Sequence, residues 1–300
     1  MACYNNSVAQ RSTLQPDAQT CVTRETACAC WGVTRETAQE YVWKTMIVAL
    51  ANQKGGVGKT TTSVNLGGEL ARRGQRVLLV DYDPQGNATT SLGVSKRGLS
   101  STIYNVLVDN VPVHDAIIST ERANYDIIPA TENLAGAVVE LDRAEHWEWR
   151  LRDALADAPE YDWVIIDSPP SLGMLTISAL CAAEQVVIPL QCEYLALEGL
   201  AQIKGTIDRV RDQLNPQLTL VGVLMTMYDG RINLAQQVVE EVRKYFPRQI
   251  FDTLIPRSVR VGEAPSYGQL LYEYDPNNRA ARAYAALAEE MLNRVQRSVA

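Results

Sequence analysis

Short apolar runs rich in valine, isoleucine and leucine alternate with longer amphipathic stretches from Met46 onward. Such runs are typical of strands buried on both faces of a sheet, and the amphipathic stretches fit helices that cover those faces. The predicted strands are Met46–Ala51, Arg76–Asp81, Tyr125–Pro129, Trp163–Asp167, Gln185–Leu190, Leu218–Met225 and Gln249–Leu254. The predicted helices span residues 59–73, 132–156, 172–183, 198–214, 233–246 and 278–298. The alternation predicts an α/β fold with a doubly wound, mainly parallel sheet and helices on both faces.

The first 45 residues lack this regular pattern. They are polar, and the hexapeptide at 22–27 recurs unchanged at 33–38. A single duplication does not make a solenoid, which needs at least three units. We interpret residues 1–45 as a disordered N-terminal extension or as upstream DNA translated from an early start codon, with a regulatory arm as the alternative. Because no linker interrupts the remainder, residues 46–300 are predicted to form one domain.

Charge and hydropathy narrow the classes of function. The formal net charge is -7, which argues against a protein that binds nucleic acid through an overall basic surface, although a local basic patch is compatible with it. No apolar run reaches the roughly 18 residues that a membrane span requires, and the N-terminus lacks the apolar centre of a secretory signal. We therefore expect a cytoplasmic location.

The cysteines do not have the spacing of a metal site. Cys28 and Cys30 form a C-x-C pair, whereas structural zinc sites use pairs such as C-x2-C with a second pair elsewhere. Cys181 and Cys192 lie alone in apolar segments. Buried, inert thiols are the simpler interpretation of these two residues.

The strongest chemical signal is a glycine-rich loop that follows a predicted strand and opens a predicted helix, which is the context that defines a P-loop. Glycines let backbone amides turn toward an anion, and the helix N-terminus adds its positive dipole end. Lys59 is expected to reach the outer phosphates of a nucleotide, and the Thr60 hydroxyl to bind Mg²⁺. The expected nucleotide-binding residues of the loop are Lys54, Gly55, Gly56, Val57, Gly58, Lys59, Thr60 and Thr61.

Carboxylates follow two of the predicted strands. Asp81 and Asp83 stand at the end of the second strand, and Asp167 ends the fourth. Side chains at the carboxyl ends of parallel strands point into the crevice where α/β folds bind ligands. An Asp-Pro turn is the alternative explanation for Asp83, since aspartate before proline favours turns.

One departure from the general P-loop pattern is informative. Gln53 occupies a position where the general pattern has glycine, and a second lysine, Lys54, opens the loop. In this respect the segment 54–60 resembles the deviant Walker A motif of the ParA/MinD family of P-loop NTPases. The resemblance implies that Lys54 crosses a dimer interface to the partner's nucleotide, in the manner of an arginine finger supplied in trans.

The same resemblance assigns roles to the carboxylates. The segment 78–87 is similar to the family's Walker A′ motif, in which the carboxylate at the place of Asp83 polarises the attacking water. The segment 163–170 is similar to Walker B, which implies that Asp167 holds Mg²⁺ through water. The candidate metal ligands are therefore Thr60, Asp83 and Asp167, and the candidate catalytic residues are Lys54 and Asp83.

The C-terminal half resembles the ParA/Soj group in the segments 225–231 and 255–268. This likeness implies that Pro256 and Arg257 lie beside the adenine and that Arg231 and Arg260 bind DNA without sequence preference. We also place Met225 among the nucleotide-binding residues. The segment 204–260 carries nine Lys and Arg against six Asp and Glu, which is a local basic excess on an acidic chain.

The resemblance implies an ATPase that partitions a chromosome or plasmid. ATP and Mg²⁺ would close a homodimer that binds non-specific DNA on the nucleoid, and a ParB-type centromere-binding protein would stimulate hydrolysis and release it. The alternative is a MinD-like membrane-associated positioning ATPase, which requires an amphipathic C-terminal helix with large apolar anchors. The last predicted helix is rich in alanine and carries Glu289 and Glu290, so packing on the sheet is favoured and no membrane partner is expected.

Overall fold

The computed structural model describes residues 45–142, 144–194 and 196–299, with side chains up to residue 295. Its strands are β1 (Met46–Leu50), β2 (Val77–Asp81), β3 (Ile118–Ser119), β4 (Tyr125–Ile128), β5 (Trp163–Asp167), β6 (Gln185–Gln191) and β7 (Thr219–Thr226). They form one sheet in the order β3-β4-β2-β5-β1-β6-β7. Every neighbouring pair is parallel except β3 and β4 at the edge. The predicted doubly wound, mainly parallel sheet is confirmed.

The central strands are apolar on both faces because both faces are covered. β2 and β5 are buried at every position. Successive side chains of a strand point to opposite faces, and β2 follows this rule. Val77 and Leu79 pack into one hydrophobic cluster, whereas Leu78 and Val80 pack into the other.

The helices connect and cover these strands. They are α1 (Lys59–Arg72), α2 (Asn87–Ser91), α3 (Ile103–Val108), α4 (Leu134–Leu141), α5 (Arg150–Ala156), α6 (Met174–Ala182), α7 (Ala196–Gln213), α8 (Asn233–Tyr245), α9 (Arg260–Glu263), α10 (Leu271–Tyr274) and α11 (Arg279–Val299). Short 3-10 turns lie at Val113–Ala116, Trp147–Trp149 and Ala264–Tyr267. Thr45–Ala300 forms one compact unit. The interpretations of residues 1–44 lie outside the described residues.

Two sequence predictions of secondary structure are wrong. The single helix predicted over 132–156 is two helices: α4 ends at Leu141, and α5 begins at Arg150 after His146, whose left-handed φ of 59° is not helical. The strand predicted at Gln249–Leu254 makes only one isolated bridge, between Ile250 and Val223. The backbone of Gln249 and Phe251 bonds to Val223 of β7. Beyond this bridge, side chains of α11 take over: Glu290 accepts from the amides of Asp252 and Thr253, and Arg294 donates to the carbonyl of Ile250.

Helix α1 packs closely against β4 of the sheet. This contact fixes the position of the helix that begins at the glycine-rich loop. The Tyr125 hydroxyl of β4 donates a 3.0 Å hydrogen bond to the Val64 carbonyl. A Cβ atom at Gly67 would lie 2.4 Å from that hydroxyl oxygen, so only glycine fits here. On its other side α1 packs against α11, which buries Tyr284, Leu287 and Met291.

None of the helices in the described part of the chain is long and apolar enough to cross a membrane.

Candidate nucleotide-binding site

The glycine-rich loop joins β1 to α1 and is held by side chains from other strands. Gly56 and Gly58 have φ values of 73° and 89°, a left-handed conformation that glycine adopts without steric cost. Gly58 caps the N-terminus of α1, whose first amides have no helical acceptor. The Thr226 hydroxyl at the end of β7 donates to the Val57 carbonyl at 2.8 Å. The loop is thus a preformed cradle for an anion at a helix N-terminus.

A cleft of about 560 Å³ opens over this cradle. The predicted site residues that line it are Gly55, Gly56, Gly58, Lys59, Thr60, Thr61, Asp83, Pro256 and Arg257. Residues from both halves of the chain therefore meet in one cleft. The short sequence motifs predicted the cleft residues of the glycine-rich loop and Asp83. The family resemblance predicted Pro256 and Arg257.

Three predicted nucleotide-binding residues do not line the cleft. Met225 is fully buried, and Val57 is 1% exposed. The neighbours of Met225, Thr226 and Met227, form the wall in its place. Met227 has a φ of 52°, and such backbone strain in a non-glycine residue concentrates at ligand sites. The third residue outside the cleft lining is Lys54. Its side chain points toward Glu193, with 2.5 Å between Lys54 Nζ and Glu193 Oε2.

Lys59 is the buried cation of the site. It is 6% exposed, and its ammonium donates to the Lys54 carbonyl at 3.0 Å. Burial lowers the pKa of Lys59, while the charges of Asp167 and Asp83 oppose that shift. The same interactions show that a cation and two carboxylates share one buried environment at the start of α1.

Asp167 ends β5 between two other strand ends. Its Cα pairs with Leu50 of β1 and with Asp81 of β2. Oδ1 accepts a 2.8 Å hydrogen bond from the Ser63 hydroxyl, whereas the buried Oδ2 has no hydrogen-bond partner among the described residues. Burial raises the pKa of Asp167 to about 7, helped by the charge of Asp81. The side chains of Thr60 and Ser63 oppose this shift, so the Thr60 hydroxyl lies near the carboxylate. A buried carboxylate oxygen without a close hydrogen bond, near a hydroxyl, suits a hard cation such as Mg²⁺, which prefers oxygen ligands.

Asp81 and Asp83 have different surroundings. Asp81 is fully buried, and its Oδ2 accepts from the amide and the hydroxyl of Thr89 at 2.8 and 2.7 Å. Burial raises its pKa to about 6. Asp83 is 6% exposed and lines the cleft, and its Oδ1 accepts from the Gln85 amide. Asp81 therefore holds the turn between β2 and α2, while Asp83 faces the space over the cradle.

The two arginines predicted to bind DNA lie outside the cleft lining, and each pairs with a nearby carboxylate. Arg231 is exposed, and its guanidinium contacts Asp229 at 2.6 Å. This partner lowers the pKa of Asp229 to about 2. Arg260 contacts Glu263 at 2.7 Å and Asp275 at 3.8 Å. Both guanidiniums reach solvent, as a phosphate-binding group must.

The two cysteines that the structure describes are free thiols. Cys181 is buried and Cys192 is half-buried, and burial raises the pKa of each to about 12. The predicted burial is confirmed for Cys181, whereas Cys192 is partly exposed.

The doubly wound sheet, the glycine-rich cradle at the start of α1, and the buried lysine with its carboxylates define a P-loop nucleotide-binding protein. The family model described as an AAA domain matches residues 45–220. The sporulation initiation inhibitor protein Soj of Bacillus subtilis is 55% identical over 246 residues, which cover 82% of this chain and 97% of that protein. The chromosome partitioning protein ParA of Myxococcus xanthus is 50% identical over 255 residues, which cover 84% of this chain and 90% of that protein.

Among solved structures, cobyrinic acid a,c-diamide synthase of Mycobacterium smegmatis with bound ATP analogue and magnesium aligns with a TM-score of 0.75 and 38% identity, over 84% of this chain and 96% of that one. The chain belongs to the ParA/Soj family of chromosome-partitioning ATPases. The resemblance inferred from the deviant loop is confirmed.

Proposed function

We propose that this protein binds and hydrolyses ATP with Mg²⁺ and that the ATP-bound homodimer holds non-specific DNA during partitioning. The observation that carries the nucleotide part of this proposal is the buried Lys59, which lines the cleft at the start of α1 together with Asp83. A buried positive charge of this kind is complementary to the negative charge of nucleotide phosphates. The similar solved structure with an ATP analogue and magnesium supports ATP as the nucleotide.

The residues present fit Mg²⁺. The unpartnered Oδ2 of Asp167 provides an oxygen acceptor at the end of β5, and the Thr60 hydroxyl and Asp83 line or adjoin the same cleft. Magnesium supplies charge neutralisation of the phosphate oxygens when it is bound. Asp167 would hold the ion through water, with Thr60 as a direct ligand and Asp83 completing the site.

Three residues of the chain have separate roles in hydrolysis. Asp83 orients the attacking water, because its carboxylate lies at the cleft surface rather than in the core. Lys59 neutralises charge on the outer phosphates. Lys54 crosses to the partner's nucleotide in the dimer, so hydrolysis depends on dimerisation. Pro256 and Arg257 line the far end of the cleft and contact the adenine.

DNA binding is assigned to Arg231 and Arg260. An acidic chain binds the DNA backbone only through local basic groups, and both guanidiniums are solvent-accessible. A dimer doubles the number of such contacts, which makes binding depend on ATP. A ParB-type protein that stimulates hydrolysis would release the dimer from the nucleoid in the cytoplasm and so move the DNA it holds.

A membrane-positioning ATPase would need a free apolar face on its C-terminal helix. α11 directs Tyr284, Leu287 and Met291 into the core instead. Gel-shift binding to unrelated duplexes and co-sedimentation with anionic liposomes, both with ATP, separate the two functions. The proposal requires DNA binding that is lost in Lys59→Ala, whose ATP binding should also be lost. Liposome binding without DNA binding would contradict it.

A further inference from the structure

The turn that carries Asp83 is fixed on its inner side. The Gly86 amide donates to the Asp83 carbonyl at 2.8 Å, which closes a tight turn. Asp81 holds Thr89 in the helix that follows. Gly86 has a left-handed φ of 60°, and a Cβ atom there would lie 2.6 Å from the Ala130 carbonyl oxygen. The core side of the turn is therefore tightly packed.

The outer side of the same turn is covered by one lysine from beyond α2. Nζ of Lys96 donates a 2.6 Å hydrogen bond to the carbonyl of Gln85. A Cβ atom at Gly86 would also lie 3.0 Å from Lys96 Cδ and 3.2 Å from Nζ. The lysine stem thus crosses Gly86, and its ammonium binds the carbonyl two residues after Asp83. Lys96 does not line the nucleotide cleft.

We propose that Lys96 is a positioning residue for ATP hydrolysis that fixes the turn through the Gln85 carbonyl and so holds the Asp83 carboxylate in place. The inference rests on the proposed role of Asp83 in orienting water. The peptide group between Gln85 and Gly86 is held at two points, because its amide donates to the Asp83 carbonyl and its carbonyl accepts from Lys96. The preceding amide, that of Gln85, donates to the Asp83 carboxylate. Loss of the Lys96 contact therefore leaves the peptide group with one restraint and lets the turn beside that carboxylate shift. Displacement of a catalytic group by about 1 Å can cost up to roughly 100-fold in rate.

The hydrogen bond between Lys96 and Gln85 is exposed to solvent, and this makes it possible to test a positioning role separately from a structural one. A solvent-exposed charged contact contributes little to global stability, so its loss should leave folding and ATP affinity unchanged while the turn loosens. Lys96→Met keeps the apolar stem and removes the donor, and Lys96→Gln keeps a neutral donor on a shorter stem. Lys96→Arg keeps charge and reach. Arg97→Met, on the next exposed residue, is the matched control for loss of one positive charge.

Steady-state ATPase assays and thermal melts of the full chain test the inference. We expect Lys96→Met to lower kcat about 10-fold, with KM for ATP and Tm unchanged, Lys96→Arg to restore most of kcat, and Arg97→Met to match the parent. Unchanged kcat in Lys96→Met would overturn the inference. A fall in Tm and ATP affinity in both Lys96→Met and Lys96→Gln would also overturn it, since that pattern indicates a structural role.

The Asp83→Ala background separates this inference from the proposed function. If Lys96 acts through Asp83, Lys96→Met should cause no further loss of hydrolysis in Asp83→Ala. An equal loss in both backgrounds would overturn the positioning role and leave the role of Asp83 intact. If Asp83→Ala alone hydrolyses ATP at the parent rate, the proposed role of Asp83 is wrong and the role of Lys96 is wrong with it.

Discussion

Lys54 Nζ lies 2.5 Å from Oε2 of Glu193, so the lysine assigned to the partner's nucleotide is held by a carboxylate of its own chain. Lys54 opens the phosphate loop, and Glu193 follows the end of β6. Both side chains are 45% exposed, and an ion pair of that exposure contributes only about 0–1 kcal/mol. In the proposed dimer, a phosphate of the nucleotide bound to the second protomer would replace Glu193 as the partner of Lys54, and the ion pair would oppose dimerisation only weakly.

Glu193→Gln should favour the ATP-bound dimer. Removal of the carboxylate frees Lys54 in both protomers, and about 0.5 kcal/mol for each corresponds to a roughly 5-fold lower dimer dissociation constant. Sedimentation velocity across a protein concentration series with ATP measures the dimer dissociation constant.

Lys54→Ala should bind ATP and stay monomeric. Dimerisation of Lys54→Ala at the parent concentration would show that the lysine does not act across the interface.

Asp83→Ala should bind ATP and dimerise but hydrolyse ATP on the order of 100-fold more slowly, or about 3 kcal/mol in the barrier. The substitution removes the carboxylate that faces the cleft and leaves the cradle intact. Phosphate release under single-turnover conditions measures the rate, and nucleotide fluorescence measures binding. Asp142→Ala, at an exposed residue after α4, is the control. Loss of ATP affinity in Asp83→Ala would assign the residue to binding instead.

The sequence predicted those parts of the site that depend on residues adjacent in the chain. The loop glycines, Lys59 and the strand-end carboxylates share short motifs whose strand-loop-helix context is visible in the pattern. The contacts of Glu193, Thr226 and Lys96 could not be found in this way, because each partner lies 11 or more positions away. Their residue types alone carry no signal of such a contact.

The errors in secondary structure have the same origin. The apolar segment 249–254 has the composition of a strand and pairs with β7 at Val223, but Glu290 and Arg294 of α11 bind the backbone of Ile250, Asp252 and Thr253. Likewise, nothing in the local pattern required α4 to end at Leu141 or the backbone at His146, before α5, to be left-handed. In both places tertiary contacts or a single backbone torsion outweighed local propensity.

Gly67→Ala should destabilise the fold by about 1–3 kcal/mol. The added methyl group would meet the Tyr125 hydroxyl oxygen at 2.4 Å, so α1 must move away from β4 or the buried hydrogen bond to Val64 must break. Urea unfolding followed by circular dichroism measures the change. Gly205→Ala is the matched control in α7, where nothing lies within 4 Å of the added atom. That variant should be stabilised by up to about 1 kcal/mol, and equal effects would contradict the packing argument.

A variant that begins at Met46 should keep the melting temperature and the ATPase rate of the full chain. The reason lies in the sequence, because residues 1–45 lack core-forming periodicity, and such segments tolerate removal. Differential scanning calorimetry and steady-state ATPase assays on both lengths measure it. A loss of several degrees would support the regulatory-arm interpretation instead.

Arg231→Ala and Arg260→Ala should each weaken binding to all DNA sequences alike. Each phosphate contact contributes about -0.9 to the slope of log affinity against log salt. Because each arginine occurs twice in the dimer, either change should flatten that slope by roughly two units. Basal ATPase activity without DNA should stay the same, because neither arginine lines the cleft. Gel shifts on unrelated duplexes across a salt series, with ATP present, measure the effect.

Arg152→Ala on α5 removes the same charge elsewhere and should leave the slope unchanged. Parent affinity in the double variant would place the DNA-binding surface on other residues, and a strong sequence preference in the parent would mean that base edges, rather than phosphates, determine binding.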